Sequence, residues 1–536
     1  MINVITKSPR EMEGTYAQIG AGELETAYAS ILRAGADEDS GYKASLSYYQ
    51  QDEPYDRPTG LIPGTMTPYP GIENSGTSQP KVDLRYDKDT SDDTTWSFSA
   101  GYAATEGLVH TGIGPFDVDS SSNMGYVKGS WTRQALNVTA FVNLLDGEAA
   151  NLLTVGTDGR PLLLGFDSNT YNVDITNTGV IGTTHILTYG ANARRNDFDL
   201  TIAPGGQNRD EFGVFIQDEI LIGDKVRWVV GARYDDIDPI GNVVSPRTTL
   251  MISPKPNSTF RFSYNRAFRA PSLIENHLDI VIVNQVVLPA APPLLPTPVL
   301  YNFPTAALGN PELGEEQLDA FEIGYVGTFN KLNITAAIYR NETTDSTDFF
   351  EAAFYDSFNP PPGWPLPPFI PVAPGVFLPT VPTNTFPSVF SYRNIGEIIN
   401  QGAEFSFDYR PNRDWRINAN YTYQEDPDPT GIDEDAINKP PRHRFNFGIS
   451  YDAGNWYINT NMNYQDEAFW TDVLDSRFHG PTDSFTQVNL GLGFRFNNDR
   501  MTLSITGSNI FDEEVQQHVF GDIIGRKVTA ELRFQF

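Results

Sequence analysis

The sequence predicts an all-β fold: a transmembrane antiparallel β-barrel of about 22 strands, with short periplasmic turns at one rim and long extracellular loops at the other. Three observations lead there. Apolar and polar residues alternate with a period of two along much of the chain, short and long connections alternate, and tryptophans gather beside the short ones. The closing stretch shows the alternation. Val528, Ala530, Leu532, Phe534 and Phe536 share one face, while Lys527, Thr529, Glu531, Arg533 and Gln535 share the other. A soluble barrel of this size would turn the apolar face inward. A membrane barrel turns it to lipid and lines its lumen with the polar face.

Strands are expected in chain order at Tyr16–Leu24, Ala27–Asp37, Tyr42–Gln51, Val82–Asp87, Trp96–Thr105, Gly125–Arg133 and Leu136–Leu145. Next come Asp167–Asn177, Thr184–Arg194, Asp210–Leu221, Val226–Asp236, Thr248–Ser253 and Thr259–Asn265. Asp319–Phe329, Asn333–Thr344, Gly402–Tyr409, Asp414–Tyr423, Arg444–Tyr451, Trp456–Gln465, Thr486–Phe496, Met501–Ser508 and Lys527–Phe536 complete the set. Alternation is cleanest late: Trp456, Ile458, Thr460, Met462 and Tyr464 oppose Tyr457, Asn459, Asn461, Asn463 and Gln465.

Period alone does not separate the two kinds of barrel, but the connections do. Gly223-Asp224, Asn330-Lys331, Pro411-Asn412-Arg413 and Asn497-Asn498-Asp499 are turn chemistry. Between them fall long segments such as Asp52–Lys81, Arg266–Leu318, Asp345–Asn400, Asp466–Ser484 and Asn509–Arg526. Short turns on one rim and long loops on the other are the layout of an outer-membrane barrel. Trp96, Trp228, Trp415 and Trp456 each follow a short turn, and Trp131 precedes one. Indoles favour the headgroup level, so these five are expected to form a periplasmic aromatic girdle.

Composition narrows the function. A net charge of -31 argues against nucleic acid, which needs a basic surface. The absence of cysteine removes disulfides and thiolate chemistry. The most apolar stretch, Leu278–Phe303, is broken by Pro289, Pro292 and Pro293 and is not a spanning helix. No signal peptide is visible in the sequence, where Met1 is followed at once by the β-like Ile2-Asn3-Val4-Ile5.

Several short stretches, in order, resemble the TonB-dependent receptors of Gram-negative outer membranes. Ile2–Pro9 is similar to the last strand of that family's plug domain, and Asn265–Ser272, with Phe268, Arg269, Ala270 and Pro271, resembles its mid-barrel motif. Asn310-Pro311-Glu312-Leu313 with Glu315, Glu316, Glu322 and Gly324 resembles the start of the following strand. Asn394-Ile395-Gly396 with Gly402-Ala403-Glu404, and Asn509–Asp512 through Gly525-Arg526 to Phe536, complete the likeness. The resemblance implies residues 1–12 as a plug remnant and 13–536 as the barrel. It implies uptake of a scarce, bulky nutrient: a ferric siderophore, haem, cobalamin or a glycan. It also implies drive from the TonB–ExbB–ExbD complex, through a segment ahead of residue 1, and reading of Phe536 by the outer-membrane assembly machinery. Lipid and lipopolysaccharide are the expected surroundings.

No catalytic constellation is evident, and no cofactor or metal site is expected. His110, His185, His277, His443, His479 and His518 are scattered without ligand spacing. His277 lies between the two central motifs, where the resemblance places a haem-ligating histidine in haem receptors; a solvated loop residue is the alternative. Acidic runs such as Asp37-Glu38-Asp39 and Asp433-Glu434-Asp435 are cation sites at the lipopolysaccharide surface or solvated turns. The proline-rich stretches Pro360–Pro368 and Pro371–Pro387, with Trp364 and Phe369, form either a lid or ligand platform or a stiff spacer. Together with Trp470 in Asp466–Ser484, these aromatic residues are the loop candidates for small-molecule binding. Passive diffusion through a porin is the runner-up function, and a barrel enzyme or adhesin the third.

Overall fold

The computed structural model describes residues 6–61, 69, 71–72, 76–91, 93–111, 114–155, 160–206, 208–288, 290, 292, 295–355, 359–365, 386–431, 437–471 and 480–536. Among them, 22 antiparallel strands close into one barrel. They are β1 Gly14–Gly22, β2 Thr26–Ala36, β3 Ser40–Gln51, β4 Thr77–Ser91, β5 Thr94–Ala104, β6 Asn123–Arg133, β7 Leu136–Val155 and β8 Pro161–Ile181. Next are β9 His185–Leu200, β10 Asn208–Ile222, β11 Val226–Ile237, β12 Gly241–Lys255, β13 Ser258–Arg269, β14 Glu316–Phe329, β15 Leu332–Phe354 and β16 Pro387–Tyr409. The last six are β17 Trp415–Gln424, β18 His443–Asp452, β19 Trp456–Gln465, β20 Phe485–Phe496, β21 Met501–Ser508 and β22 Lys527–Gln535. Each neighbours the next, and β22 returns to β1 in a register running from Tyr16↔Gln535 to Gly22↔Thr529. Phe536 extends this closure beyond the strand proper: Thr15 N–H donates to its carbonyl at 3.0 Å, and its own N–H donates to Thr15 at 2.9 Å.

The direction in which side chains point identifies the solvent. Across the closing seam Ile19 opposes Leu532, Leu532 opposes Leu503, Leu503 opposes Phe494 and Phe494 opposes Trp456. Directly opposed residues share a face, so these side chains form a continuous outward apolar belt. Ile19 and Val127 are each 60% exposed, far too open for residues facing water in such numbers. No described helix is long and apolar enough to span a membrane, and none is needed.

The inward face is polar and paired. Asp87 accepts from Arg85 Nε at 2.9 Å and Ser97 Oγ at 2.7 Å. Arg233 bridges Asp235 and Asn192, and Tyr126 bonds Asp83. Lys527 Nζ donates to Gln51 Oε1 at 2.7 Å and Tyr49 Oη at 2.9 Å. Tyr28 lies over Gly20 of the neighbouring strand; a Cβ there would stand 2.2 Å from the ring. The wall thus keeps bulky phenols flat by giving them a glycine to cover.

Every strand read from the sequence is present, usually longer than alternation indicated. β15 and β16 each run 23 residues, well past a bilayer's needs. The long connections are also less irregular than expected. Among its described residues Leu278–Phe303 holds no helix, as its prolines required, yet Asp279–Leu288 pairs with Val299–Leu308. Of the segment read as a terminal plug strand, Met1–Ile5 lie outside the described residues. Thr6–Pro9 are irregular chain leading into a 3-10 turn at Arg10–Met12. That stretch is fastened to the wall: Lys43 Nζ donates to the Lys7 carbonyl at 3.0 Å, and Arg10 pairs with Asp89 at 2.7 Å.

Leu532→Arg, which puts a cation against lipid, should destabilise the refolded barrel by roughly 2–4 kcal/mol if the site is near the midplane. Thr506→Arg, on the inward face of the adjacent strand, should cost much less. Denaturant titration in lipid vesicles tests the pair; equal losses would reverse the orientation of the wall. Deleting Phe536 removes two seam hydrogen bonds and should lower the yield of the heat-modifiable folded band.

Candidate functional site

The long-loop rim carries a folded crown. One apolar cluster joins Leu288, Leu295, Tyr301, Phe303 and Phe386, with Trp364 and Tyr355 packed against it. Trp364 meets Tyr301 and Phe386 edge-on at ring-centre distances of 5.3 and 5.5 Å. The phenols are tied to the chain: Tyr301 donates to the Pro362 carbonyl at 2.8 Å and Tyr355 to the Pro304 carbonyl at 2.7 Å. Burial, with Tyr355 close by, pushes the Tyr301 phenol up to about 12. A second cluster, centred on the buried Val519 and Phe520, takes in Tyr69, Leu153 and Trp470. Trp470 stands edge-on to His518 at 4.9 Å.

Below the first cluster, the motifs read from the sequence converge on a single polar latch. Arg269, at the end of β13, reaches Glu316 with Nε at 2.6 Å and Glu275 with Nη1 at 3.0 Å. Glu275 and Ser272 form the capping box of the short helix Leu273–His277. Arg209 Nη1 donates to the Pro271 carbonyl at 2.7 Å. Asn310 N–H donates to Glu275 O at 2.8 Å, and its side chain donates to Tyr392 O at 3.0 Å. Asn394 accepts from Gly314 N–H at 2.8 Å and donates to Asp345 O at 2.8 Å. Four distant segments are thereby fixed to one another. Burial pushes the Glu316 carboxyl up, but Arg269 and the Thr347 amide outweigh it and hold it below the usual range. Arg269 is raised by Glu316, then Glu275, against its own desolvation.

The structure sorts the expected site residues. Phe268, Arg269, Ala270, Pro271, Asn310 and Pro311 meet at the latch or flank it. His277 closes the short helix, half-buried beside the latch; the described residues hold no group of three or more His, Cys, Asp or Glu able to grip a metal. Trp364 and Trp470 sit in separate clusters, and Phe369 lies outside the described residues, as do Asp433-Glu434-Asp435 and His479. Trp96, Trp131, Trp228, Trp415 and Trp456 all point outward near the short-turn rim, with Trp96 opposite Trp131. Sequence reading passed over Tyr301, Phe303 and Phe386. Their signal was present, since Tyr301, Phe303, Thr305 and Ala307 alternate into the crown's interior, but neighbouring prolines masked it.

Comparison with known proteins agrees with this geometry. The family model for the TonB-dependent receptor-like β-barrel matches residues 28–510. The chain belongs to the TonB-dependent receptors. It is therefore an outer-membrane receptor of a transport family. Three solved structures are similar in fold. A mutant of the ferric enterobactin receptor PfeA from Pseudomonas aeruginosa is 14% identical, with a TM-score of 0.69 over 98% of this chain and 81% of that one. The siderophore receptor PirA from Acinetobacter baumannii is 14% identical, with a TM-score of 0.70 over 98% and 81%. The copper transporter OprC is 14% identical, with a TM-score of 0.69 over 98% and 83%.

Arg269→Ala should leave the barrel's thermal unfolding nearly unchanged and loosen the latch locally by about 1–3 kcal/mol. Hydrogen exchange at residues 273–277 and 310–316 reads this directly. Because Glu316 titrates lower folded than unfolded, its contribution is complete above the ordinary carboxylate range and lost as pH falls through the folded value. Exchange should therefore show the same latch at pH 7 and pH 6, and a weaker one only under strong acid.

Proposed function

We propose that the receptor takes up a bulky metal chelate, a ferric siderophore before haem, cobalamin or a glycan, with energy from the TonB–ExbB–ExbD complex. The observation that carries this reading is the crown. Trp364, half-buried at the long-loop rim, stands on the buried Tyr301, Phe303 and Phe386, over a latch that fixes the segments bearing them. Aromatic walls with a few fixed polar groups are how proteins hold large ligands. The siderophore receptors similar in fold support the choice by analogy. His277 is assigned to the latch rather than to a metal, since its helix serves to cap and position that latch. Thr6–Met12, fixed to Lys43 and Asp89, would be the last turn of a plug. The outward tryptophans would seat the barrel among phospholipid and lipopolysaccharide headgroups, and Phe536 would mark it for assembly.

Uptake of a labelled ferric siderophore should rise when the receptor gene is supplied to a strain lacking its own receptors. It should vanish when TonB is removed. Uptake that persists without TonB would favour the passive porin. Trp364→Ala should weaken binding about tenfold or more, as loss of an aromatic anchor does; unchanged affinity would move the ligand off this cluster.

A further inference from the structure

The charge of the molecule is concentrated at one rim. Residues 425–442 and 466–484 together hold eleven acidic side chains against three basic, and residues 52–76 and 509–526 hold eight against two. All four are long connections on the outer side of the barrel. Apart from Asp37-Glu38-Asp39 and Asp92-Asp93, the short turns are neutral or slightly basic; residues 410–414 hold two arginines and one aspartate. The net charge of -31 is therefore mostly a property of the mouth, where a ligand enters.

The cations at this rim are already engaged. Arg57 pairs with Asp522 at 2.6 Å, Arg526 with Glu23 at 3.2 Å, and Arg442 with Asp426. Arg269 is held by Glu316 and Glu275, and Arg393 lies 4.0 Å over the Phe350 ring. The uncommitted groups are carboxylates. Asp279, Glu312, Glu351 and Glu514 are exposed and make no side-chain bond to the described residues. Glu351 stands near the top of β15, just before Tyr355 of the first aromatic cluster. Desolvation by the neighbouring chain pushes its carboxyl up with no cation to offset it, so a positive charge arriving there is favoured.

Granting the uptake proposed above, we infer that the chelate carried is neutral or cationic, of the ferric trihydroxamate class, and that the mouth turns away anionic chelates of the tris-catecholate class. The ligand chemistry sets the difference. Hydroxamates are singly charged, so three of them cancel a ferric ion; catecholates are doubly charged, so three of them leave a trianion. Excess carboxylate at a mouth with no guanidinium free among the described residues lowers the local concentration of the trianion. It raises that of a trihydroxamate bearing a spare ammonium. The exposed side of Trp364 suits the same ligand, since an indole face attracts cations.

A single chelate backbone tests this with charge as the variable. Ferrioxamine B carries a free ammonium and is a cation, its N-acetyl derivative is neutral, and its N-succinyl derivative is an anion. Association of each with the intact chain in lipid nanodiscs is followed by stopped-flow quenching of tryptophan emission, beside a ferric tris-catecholate. The association rate should fall from cation to neutral to anion, by about tenfold between the ends. The spread should collapse as salt shortens the screening length from about 30 Å to about 3 Å. Asp279→Lys combined with Glu312→Lys should narrow the spread roughly threefold, with heat-modifiable migration unchanged. Equal rates across the series, or faster binding of the anion or the tris-catecholate, would overturn the charge selection and leave chelate uptake standing. A spread indifferent to salt and to the double variant would overturn it too. Binding by none of the four would remove the metal-chelate reading, and the charge selection with it.

Discussion

The closure of β22 onto β1 is the contact on which everything else depends. Hydrocarbon offers no hydrogen bonds, so a strand edge left open in a bilayer cannot persist. Once the ring is closed, each strand's alternation has only one allowed sense, apolar outward and polar inward. The seam is therefore more than one pairing among 22. It is the condition under which the other pairings are stable in lipid, and Phe536 adds its backbone to it.

Within that ring the energetics divide by environment. The outward belt needs only apolar area and a uniform thickness. The lumen needs partners, and finds them in cross-strand networks such as Asp87 with Arg85 and Ser97. The crown needs neither lipid nor water alone. It folds as a small soluble protein does, with buried aromatic clusters and a capped helix, on the tall stems of β15 and β16. The latch at Arg269 is where these regimes meet, joining the last residue of a membrane strand to the first segment of the crown.

Much of this was legible in the residues, and the boundary of legibility has a physical cause. The wall obeys a period of two because each strand has one neighbour on either side and one solvent on each face. Single-sequence reading needs nothing more, so all 22 strands appeared in order. The crown has no such rule. Phe303 and Phe386 touch because two loops fold over one another, and nothing near either residue records the other. The motif around Arg269 and Asn310 lies between these cases. Its residues drew notice by resemblance, but their meeting through Glu275, Glu316 and Tyr392 is tertiary and appears only in the folded chain.

The placing of tryptophan has an optical consequence. Of seven indoles, Trp96, Trp131, Trp228, Trp415 and Trp456 are on the lipid side of the wall, and Trp364 and Trp470 are in the crown. The protein thus sorts its own fluorophores by compartment. Heavy-atom lipids darken the first five and leave two emitters in two separate crown clusters, so events at the mouth of the barrel can be watched without an added dye.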